Sequence, residues 1–366
     1  MRLFSTLTGF ALLHPSTPGA IALTDPLRPA YHVTNPTGNL GKLAGVVSIE
    51  QIDTPFPELQ FHAFFQVDGQ PSWSHMTSTD LISWALVKDA APPAGAAGGS
   101  VFAINQAESP GISGPTLAVA LSSASSSNPT ITAASASNVT LTSFKPFTDP
   151  TTCAGKGVIC LAELPTSKTL GDASGFQVPE RNQSVVTVVV TDSSNIEFFE
   201  SPDLVHWTAA GAALTQAAGS ATVSSPELFS VRDDTGNAVL MYSSGTSGST
   251  VWSTGAWDPI NLKYTPTTNG IGDSGSFSNG KTTLDNAGER VQFGAIDISF
   301  SATSSGALSL PRQLHFVENA NALRFRPHPA VWQVSWSISS ACLCCCCATF
   351  PWQGVGVRIW VVLFLS

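Results

Sequence analysis

Ser78-Thr79-Asp80-Leu81-Ile82-Ser83-Trp84 and Ser201-Pro202-Asp203-Leu204-Val205-His206-Trp207 both spell S-x-D-L-x-x-W. Each follows an apolar, β-prone run: Phe61 to Gln66 before the first copy, Val185 to Val190 and then Ile196 to Phe199 before the second. A strand, a polar turn carrying Ser and Asp, and a strand opening on Trp make one corner of an antiparallel unit. Ser and Asp favour turns by themselves, because their side chains bond nearby backbone amides. Agreement at four fixed positions in the same strand context argues for more, namely a repeated blade. One such sheet cannot bury both its faces alone, so copies must stack. The expected architecture is all-β.

Composition agrees. Only 11% of the 366 residues are charged, against about 25% in average globular proteins. Gly 30 and Pro 25, with many Ser and Thr, suit a turn-dense β protein. Apolar or alternating runs of strand length recur, and no long window keeps helical periodicity. The net charge is −9 and no Lys/Arg cluster exists, which argues against nucleic acid and an anionic membrane surface as partners. No Ser/His/Asp triad motif, metal-ligand spacing or phosphate loop is present, so no cofactor or metal is expected. His32, His62, His75 and His206 are scattered through strand segments and are expected to be packed rather than ligating. A monomer is expected.

Residues 1–22 have the plan of a secretory signal: Arg2, an apolar stretch from Leu3 to Leu13, and Ala20-Ile21-Ala22 as a cleavage site. The plain alternative is a disordered N-terminus. Asn138-Val139-Thr140 and Asn182-Gln183-Ser184 are glycosylation sequons that fit an extracellular location. Cys153 and Cys160 suit a short disulfide loop there, with two unpaired thiols as the alternative. Residues 327–366 break with the rest: Cys342, Cys344, Cys345, Cys346 and Cys347, then an apolar run from Ile359 to Leu365. Adjacent cysteines cannot surround a tetrahedral metal, and the apolar run falls short of the roughly 20 residues a membrane span needs. A palmitoylated tail is one reading; a segment outside the fold is the one expected.

Arg28-Pro29-Ala30-Tyr31-His32-Val33, Pro36-Thr37-Gly38, Phe61-His62-Ala63-Phe64-Phe65-Gln66 and Trp73-Ser74-His75 leading into Ser78–Trp84 follow in order. This series resembles the opening of glycoside hydrolase family 32, the invertases, inulinases and other β-fructosidases. Asp273-Ser274-Gly275-Ser276-Phe277, Lys281-Thr282, Glu289-Arg290-Val291 and Leu310-Pro311-Arg312-Gln313-Leu314 are similar to its later elements. The resemblance runs from about Arg28 to Phe316. It implies a five-bladed β-propeller over residues 23–326 with a funnel on the central axis. The family's usual C-terminal β-sandwich is not expected. A fructose-containing saccharide such as sucrose or inulin is the implied ligand, with Gln66 and Trp73 among its contacts.

Family members are retaining glycosidases, which need a carboxylate nucleophile and a carboxylic acid donor close together. The nucleophile's N-D-P-N-G element aligns so that Lys42 takes the Asp position. The stabilising Asp of R-D-P falls on Val178 when Gly175-Phe176 sets the frame; Thr148-Asp149-Pro150 is a competing register. The acid's E-C-P-D element aligns with Ser224-Ser225-Pro226-Glu227 and puts Ser224 at the Glu. Glu227 lies an odd number of positions on, which on a regular strand turns it to the other face. Three carboxylates are thus replaced. The expectation is a secreted family 32 relative with little or no hydrolysis, a pseudoenzyme. A saccharide-binding propeller, an active β-fructofuranosidase using Asp149, and a chain with no stable fold are the competing readings.

Overall fold

The computed structural model describes residues 39–51, 58–67, 73–87, 96–103, 117–123, 131–136, 140–146, 158–159, 170–178, 184–191, 195–201, 208–215, 223–246, 249–301 and 304–332. The signal segment, His32, Asn138, Asp149, Cys153, Cys160, Asn182, His206 and the Cys-rich tail lie outside those residues.

Five antiparallel sheets follow one another along the chain. Sheet I holds β1 (Leu40–Gln51), β2 (Glu58–Val67), β3 (Trp73–Ser78) and β4 (Ala85–Val87). Sheet II holds β5 (Ala96–Ala103), β6 (Leu117–Ser123), β7 (Ile131–Ala136) and β8 (Phe144–Pro146), with β9 (Val158–Ile159) beside β7. Sheet III holds β10 (Leu170–Val178), β11 (Ser184–Thr191), β12 (Asn195–Ser201) and β13 (Thr208–Thr215). Sheet IV holds β14 (Ser224–Arg232), β15 (Ala238–Thr246), β16 (Ser249–Asp258) and β17 (Lys263–Ser274). Sheet V holds β18 (Phe277–Leu284), β19 (Arg290–Ser301), β21 (Arg312–Val317) and β22 (Ala322–Pro327), with β20 (Ser304–Leu308) beside β19.

The first strands make a closed ring: β1 packs on β5, β5 on β10, β10 on β14, β14 on β18, and β18 on β1. Like positions meet. Gly45 and Val101, the sixth residues of β1 and β5, approach so closely that a Cβ on Gly45 would lie 3.0 Å from the Val101 backbone nitrogen. Ser100 Oγ and Ser174 Oγ, from the fifth residues of β5 and β10, lie 3.4 Å apart. On β14 and β18 the contacts advance together, Ser225 with Asn279 and Glu227 with Thr282, so these two strands run in one direction, as the inner strands of a ring of consecutive antiparallel blades all do. Their N-terminal ends therefore gather at one end of the ring axis. This is a β-propeller.

A sheet wedged between two others must be apolar on both faces. β2 shows it at period two. Phe61, Ala63 and Phe65 join Val291 and Phe293 of sheet V, while Phe64 joins Val101, Ala136 and Leu141 of sheet II.

The S-x-D-L-x-x-W corner is a hydrogen-bonded knot between β3 and β4. Ser78 Oγ accepts the Leu81 N–H at 2.8 Å, and Asp80 Oδ1 accepts those of Ile82 and Ser83 at 2.8 and 2.6 Å. Trp84 Nε1 donates to the Leu81 carbonyl at 3.0 Å. Leu81 sits at φ 67 and is buried. A left-handed leucine costs about 1–2 kcal/mol, which its buried side chain and the knot offset. Leu141 before β8 (φ 52) and Leu262 before β17 (φ 48) repeat the buried, left-handed leucine, each with an aromatic residue close behind, Phe144 and Tyr264. Of the second S-x-D-L-x-x-W copy only Ser201, fully buried, is described.

The compact unit that contains the sheets runs through His328, a little beyond the expected boundary at residue 326. Ala322–Pro327 is a strand of sheet V, and His328 is pinned by its amide to the Pro311 carbonyl at 3.0 Å and by Nε2 to Asp285 Oδ2 at 3.1 Å. Pro329 onward is a separate unit.

Candidate functional site

Each inner strand begins with a break in register. On β1, Gly41 and Lys42 stand opposite Gln66 alone, between the Leu40–Val67 and Leu43–Phe65 pairs. On β10, Gly171 and Asp172 stand opposite Val190. On β14, Ser225 and Pro226 stand opposite Ser244. On β18, Asn279 and Gly280 stand opposite Gly294. On β5, Ala97 is one extra residue between the Ala96–Ser123 and Gly98–Ser122 pairs. These are β-bulges, which bend a strand and re-aim its side chains, and which cluster beside active sites. Since the five strands run in one direction, the five bulges form a crown at one end of the axis. This crown is the candidate site.

Its β14–β18 side carries backbone strain. Ser225 (φ 46) and Asn279 (φ 51) are both left-handed, a conformation that non-glycine residues keep only where the surroundings enforce it. Ser225 Oγ donates to Asn279 Oδ1 at 2.6 Å and ties the two bulges together. Ser244 Oγ, across from the β14 bulge, is buried with no hydrogen-bond partner among the described residues.

Glu227 follows directly. The extra residue of the bulge cancels the odd offset from Ser224, so Glu227 does not turn away to an edge or turn as a regular strand predicts. It is half-buried, with its carboxylate set between β14 and β18. Its Oε1 accepts from the Thr282 N–H at 3.0 Å and from Thr282 Oγ1 at 3.1 Å, while Oε2 is shut off from solvent with no hydrogen-bond partner among the described residues. Burial pushes its carboxyl above the ordinary range, against opposing pulls from the Lys281 charge, the Thr282 amide and the Arg290 charge.

Lys42 and Ser224 lie at the crown ends of β1 and β14. Val178 lies elsewhere. It pairs with Ser184 at the opposite end of β10, six residues and roughly 20 Å from the crown. The residue at the place on β10 that Lys42 holds on β1 is Asp172. The flanking Gly175-Phe176 misled the frame: Phe176 is a packing residue, edge-on to Phe198 and Trp257.

Gln66 lies opposite the β1 bulge. Trp73 is 3% exposed, in a cluster with Ala44, Val47, Phe64 and Leu141. Its ring fills the space between sheets I and II and offers no open face to a sugar, which corrects the expectation from sequence. His62 and His75 are fully buried neighbours, Nδ1 to Nε2 2.9 Å apart, with His75 stacked on Phe64. Burial lowers His62 to about 4 and His75 to about 3, the latter with help from His62. Among the described residues no cluster of His, Cys, Asp and Glu could hold a metal ion.

The sequence pattern of the glycosyl hydrolases family 32 N-terminal domain matches residues 59–327. A search of curated proteins finds no match. Among solved structures, fructan 1-exohydrolase IIa from Cichorium intybus is similar at TM-score 0.66 and 18% identity, over 84% of this chain and 62% of that one. The β-fructofuranosidase of Schwanniomyces occidentalis, complexed with fructosyl-erythritol, is similar at 0.63 and 16%, over 81% and 61%. A thermostable family-43 glycoside hydrolase matches at 0.53 and 12%, over 81% of this chain and 96% of that one. The chain thus spans about three fifths of the length of the first two structures. At such identities the likeness establishes the fold.

Proposed function

The chain belongs to glycosyl hydrolase family 32, and we propose that its crown binds fructose-containing saccharides without hydrolysing them. One observation carries this: Lys42 occupies the second bulge position of β1, and the resemblance to the family's N-D-P-N-G element assigns that residue to the nucleophile's place. A lysine there has the wrong charge to attack or stabilise an oxocarbenium-like centre. A retaining mechanism needs two carboxylates in register. Of the bulge residues, Asp172 alone carries one. Ser224 at the acid position is far too weak an acid to serve as proton donor near neutrality. The saccharide class comes from solved neighbours, a Cichorium intybus exohydrolase complexed with 1-kestose and a Schwanniomyces occidentalis fructofuranosidase complexed with fructosylnystose.

Calorimetric titration with sucrose and 1-kestose, beside a reducing-sugar assay, tests the proposal. The expected result is saturable heat with no release of fructose above a heat-killed control. Because the β10 bulge already carries Asp172, two replacements make the gain-of-function arm: Lys42→Asp with Ser224→Glu is expected to turn over 1-kestose where neither single variant does. Turnover by the unmodified chain, abolished by Asp172→Asn or Glu227→Gln, would overturn the proposal. The same reading makes the protein secreted, trimmed after Ala22 and glycosylated at Asn138 and Asn182. Intact mass of protein from a eukaryotic host checks this.

A further inference from the structure

Arg312 spans the junction between sheets IV and V. Nη1 donates to Asp273 Oδ1 at 2.7 Å, and Nη2 donates to Asp273 Oδ2. Nε and Nη2 both donate to Gln292 Oε1, at 3.2 and 2.7 Å. The guanidinium lies between two rings, 4.1 Å from the centre of Phe277 and 4.4 Å from that of Phe325. A planar fork with a π face on each side is a use that lysine cannot copy.

The partners of Arg312 clamp the β18 bulge from both sides. With its oxygen held by Arg312, Gln292 points Nε2 at Gly280, where a Cβ would lie 2.7 Å away. The Phe277 ring, held by the guanidinium, covers Gly294 so closely that a Cβ there would collide with it. Gly280 belongs to the bulge and Gly294 is the residue opposite. Neither position has room for a side chain while Arg312 holds its neighbours. The other bulge residue is Asn279, left-handed and bonded to Ser225 on β14.

We infer that Arg312 is a positioning residue for the saccharide site: through Gln292 and Phe277 it holds the β18 bulge in the conformation that presents Asn279 to Ser225. The inference rests on the crown being the ligand site. It touches no ligand itself. Its effect runs from sheet V through the bulge to the E-C-P-D-like segment of β14.

Two measurements on the full chain test it. The first is amide hydrogen exchange at Gly294 and Ser309, whose N–H groups donate to Ser309 Oγ at 3.0 Å and to the Gly294 carbonyl at 2.8 Å. Arg312→Lys is expected to speed exchange there by about tenfold or more, while the β1–β2 ladder keeps its protection. The second is 1-kestose titration. Arg312→Lys is expected to weaken binding about tenfold, Ser225→Ala likewise, and the double variant no more than the worse single one, because both act through Asn279. Gly280→Ala, which pushes Gln292 away and leaves Arg312 intact, should copy the Lys variant and serves if that one folds poorly. Unchanged exchange at Gly294 and Ser309, exchange that rises equally in every sheet, or affinity losses that add would each overturn the inference. If the parent chain binds no 1-kestose while the exchange change stays local, the proposed function fails and the positioning role stands.

Discussion

Sheet V meets its two neighbours in different ways. Toward sheet I the seam is chiefly apolar: Leu40, Leu43, Val46, Phe61, Phe65 and Met76 face Val291, Phe293, Ala295 and Leu308, with Trp84 edge-on to Phe293, and two hydrogen bonds flank it, Thr283 Oγ1 to Ser48 Oγ at 3.3 Å and the Ser305 N–H to Asn39 Oδ1 at 2.9 Å. Toward sheet IV the seam is polar near the crown, through Ser225–Asn279 and Glu227–Thr282. It becomes apolar farther out, at Phe229, Val231, Leu314 and Phe316. The apolar seam joins the first and last sheets, where no covalent link holds the ring shut. Apolar burial is strong and indifferent to direction, which suits closure. Hydrogen bonds are modest in net energy but directional, which suits a place where two bulges must keep a fixed relation.

The sharpest way to break that contrast is to cut the closing seam. Phe293 is fully buried in it. Phe293→Ala is expected to cost about 3–5 kcal/mol, the usual loss for a buried Phe with its cavity. Much of the chain would then unfold or fail to accumulate in soluble form. Urea denaturation followed by tryptophan fluorescence reads the shift. A loss below about 1 kcal/mol would mean that the seam is not what shuts the ring.

A second test separates the polar groups by pH. Glu227 has a raised carboxyl. Its contribution is full below the unfolded value near 4.5 and is lost as pH rises through its folded value. The buried His62 and His75 behave in the opposite sense, with folded values lowered to about 4 and about 3. They favour the fold above the unfolded value near 6.5, and that advantage fades as pH falls toward 3. Stability against pH should therefore fall on both sides. Glu227→Gln should flatten the alkaline side alone, leaving stability near pH 7 equal or higher. His62→Gln with His75→Gln should flatten the acid side. An alkaline side that survives Glu227→Gln would show that the carboxyl is ionised and well solvated in the fold.

How much of this is legible in the sequence differs by residue. The corner at Ser78–Trp84 reads directly, because each residue in it has one job in a local hydrogen-bonded knot. Leu141 and Leu262 occupy matching corners, but Thr140 and Asn261 precede them in place of Asp, so the motif hides while the buried left-handed leucine persists. The bulges are the larger obstacle. They break the period of two on which strand reading depends, and so Glu227 is expected on the wrong face and Asp172 passes unnoticed. One trace was available: Leu40, Leu43 and Val46 recur at a spacing of three and yet share one cluster. That spacing on a strand requires extra residues, and β1 has register shifts between Leu40 and Leu43 and between Leu43 and Gly45. Trp73 shows the converse limit, since sequence alone does not say whether an aromatic ring lines a funnel or fills a seam.

The smallest effect should come from the outermost polar contact of the IV–V seam. Arg232 Nη1 lies 3.4 Å from Glu289 Oε1, and the Arg232 side chain is 54% exposed. At that exposure the Coulomb gain is screened and two long side chains lose freedom to meet, so such pairs are worth about 0–1 kcal/mol. Arg232→Ala is expected to shift the urea midpoint by an amount near the error of the measurement, and less still in 0.5 M salt by screening of roughly that Debye scale. The same geometry of opposite charges thus counts for little at the rim, whereas Glu227, a few residues inward along β14, is held by Thr282 with no solvent to replace it. If Arg232→Ala proved as costly as Phe293→Ala, the seam's polar contacts would be closing the ring as well as setting its register, and the division of labour between the two seams would have to be abandoned.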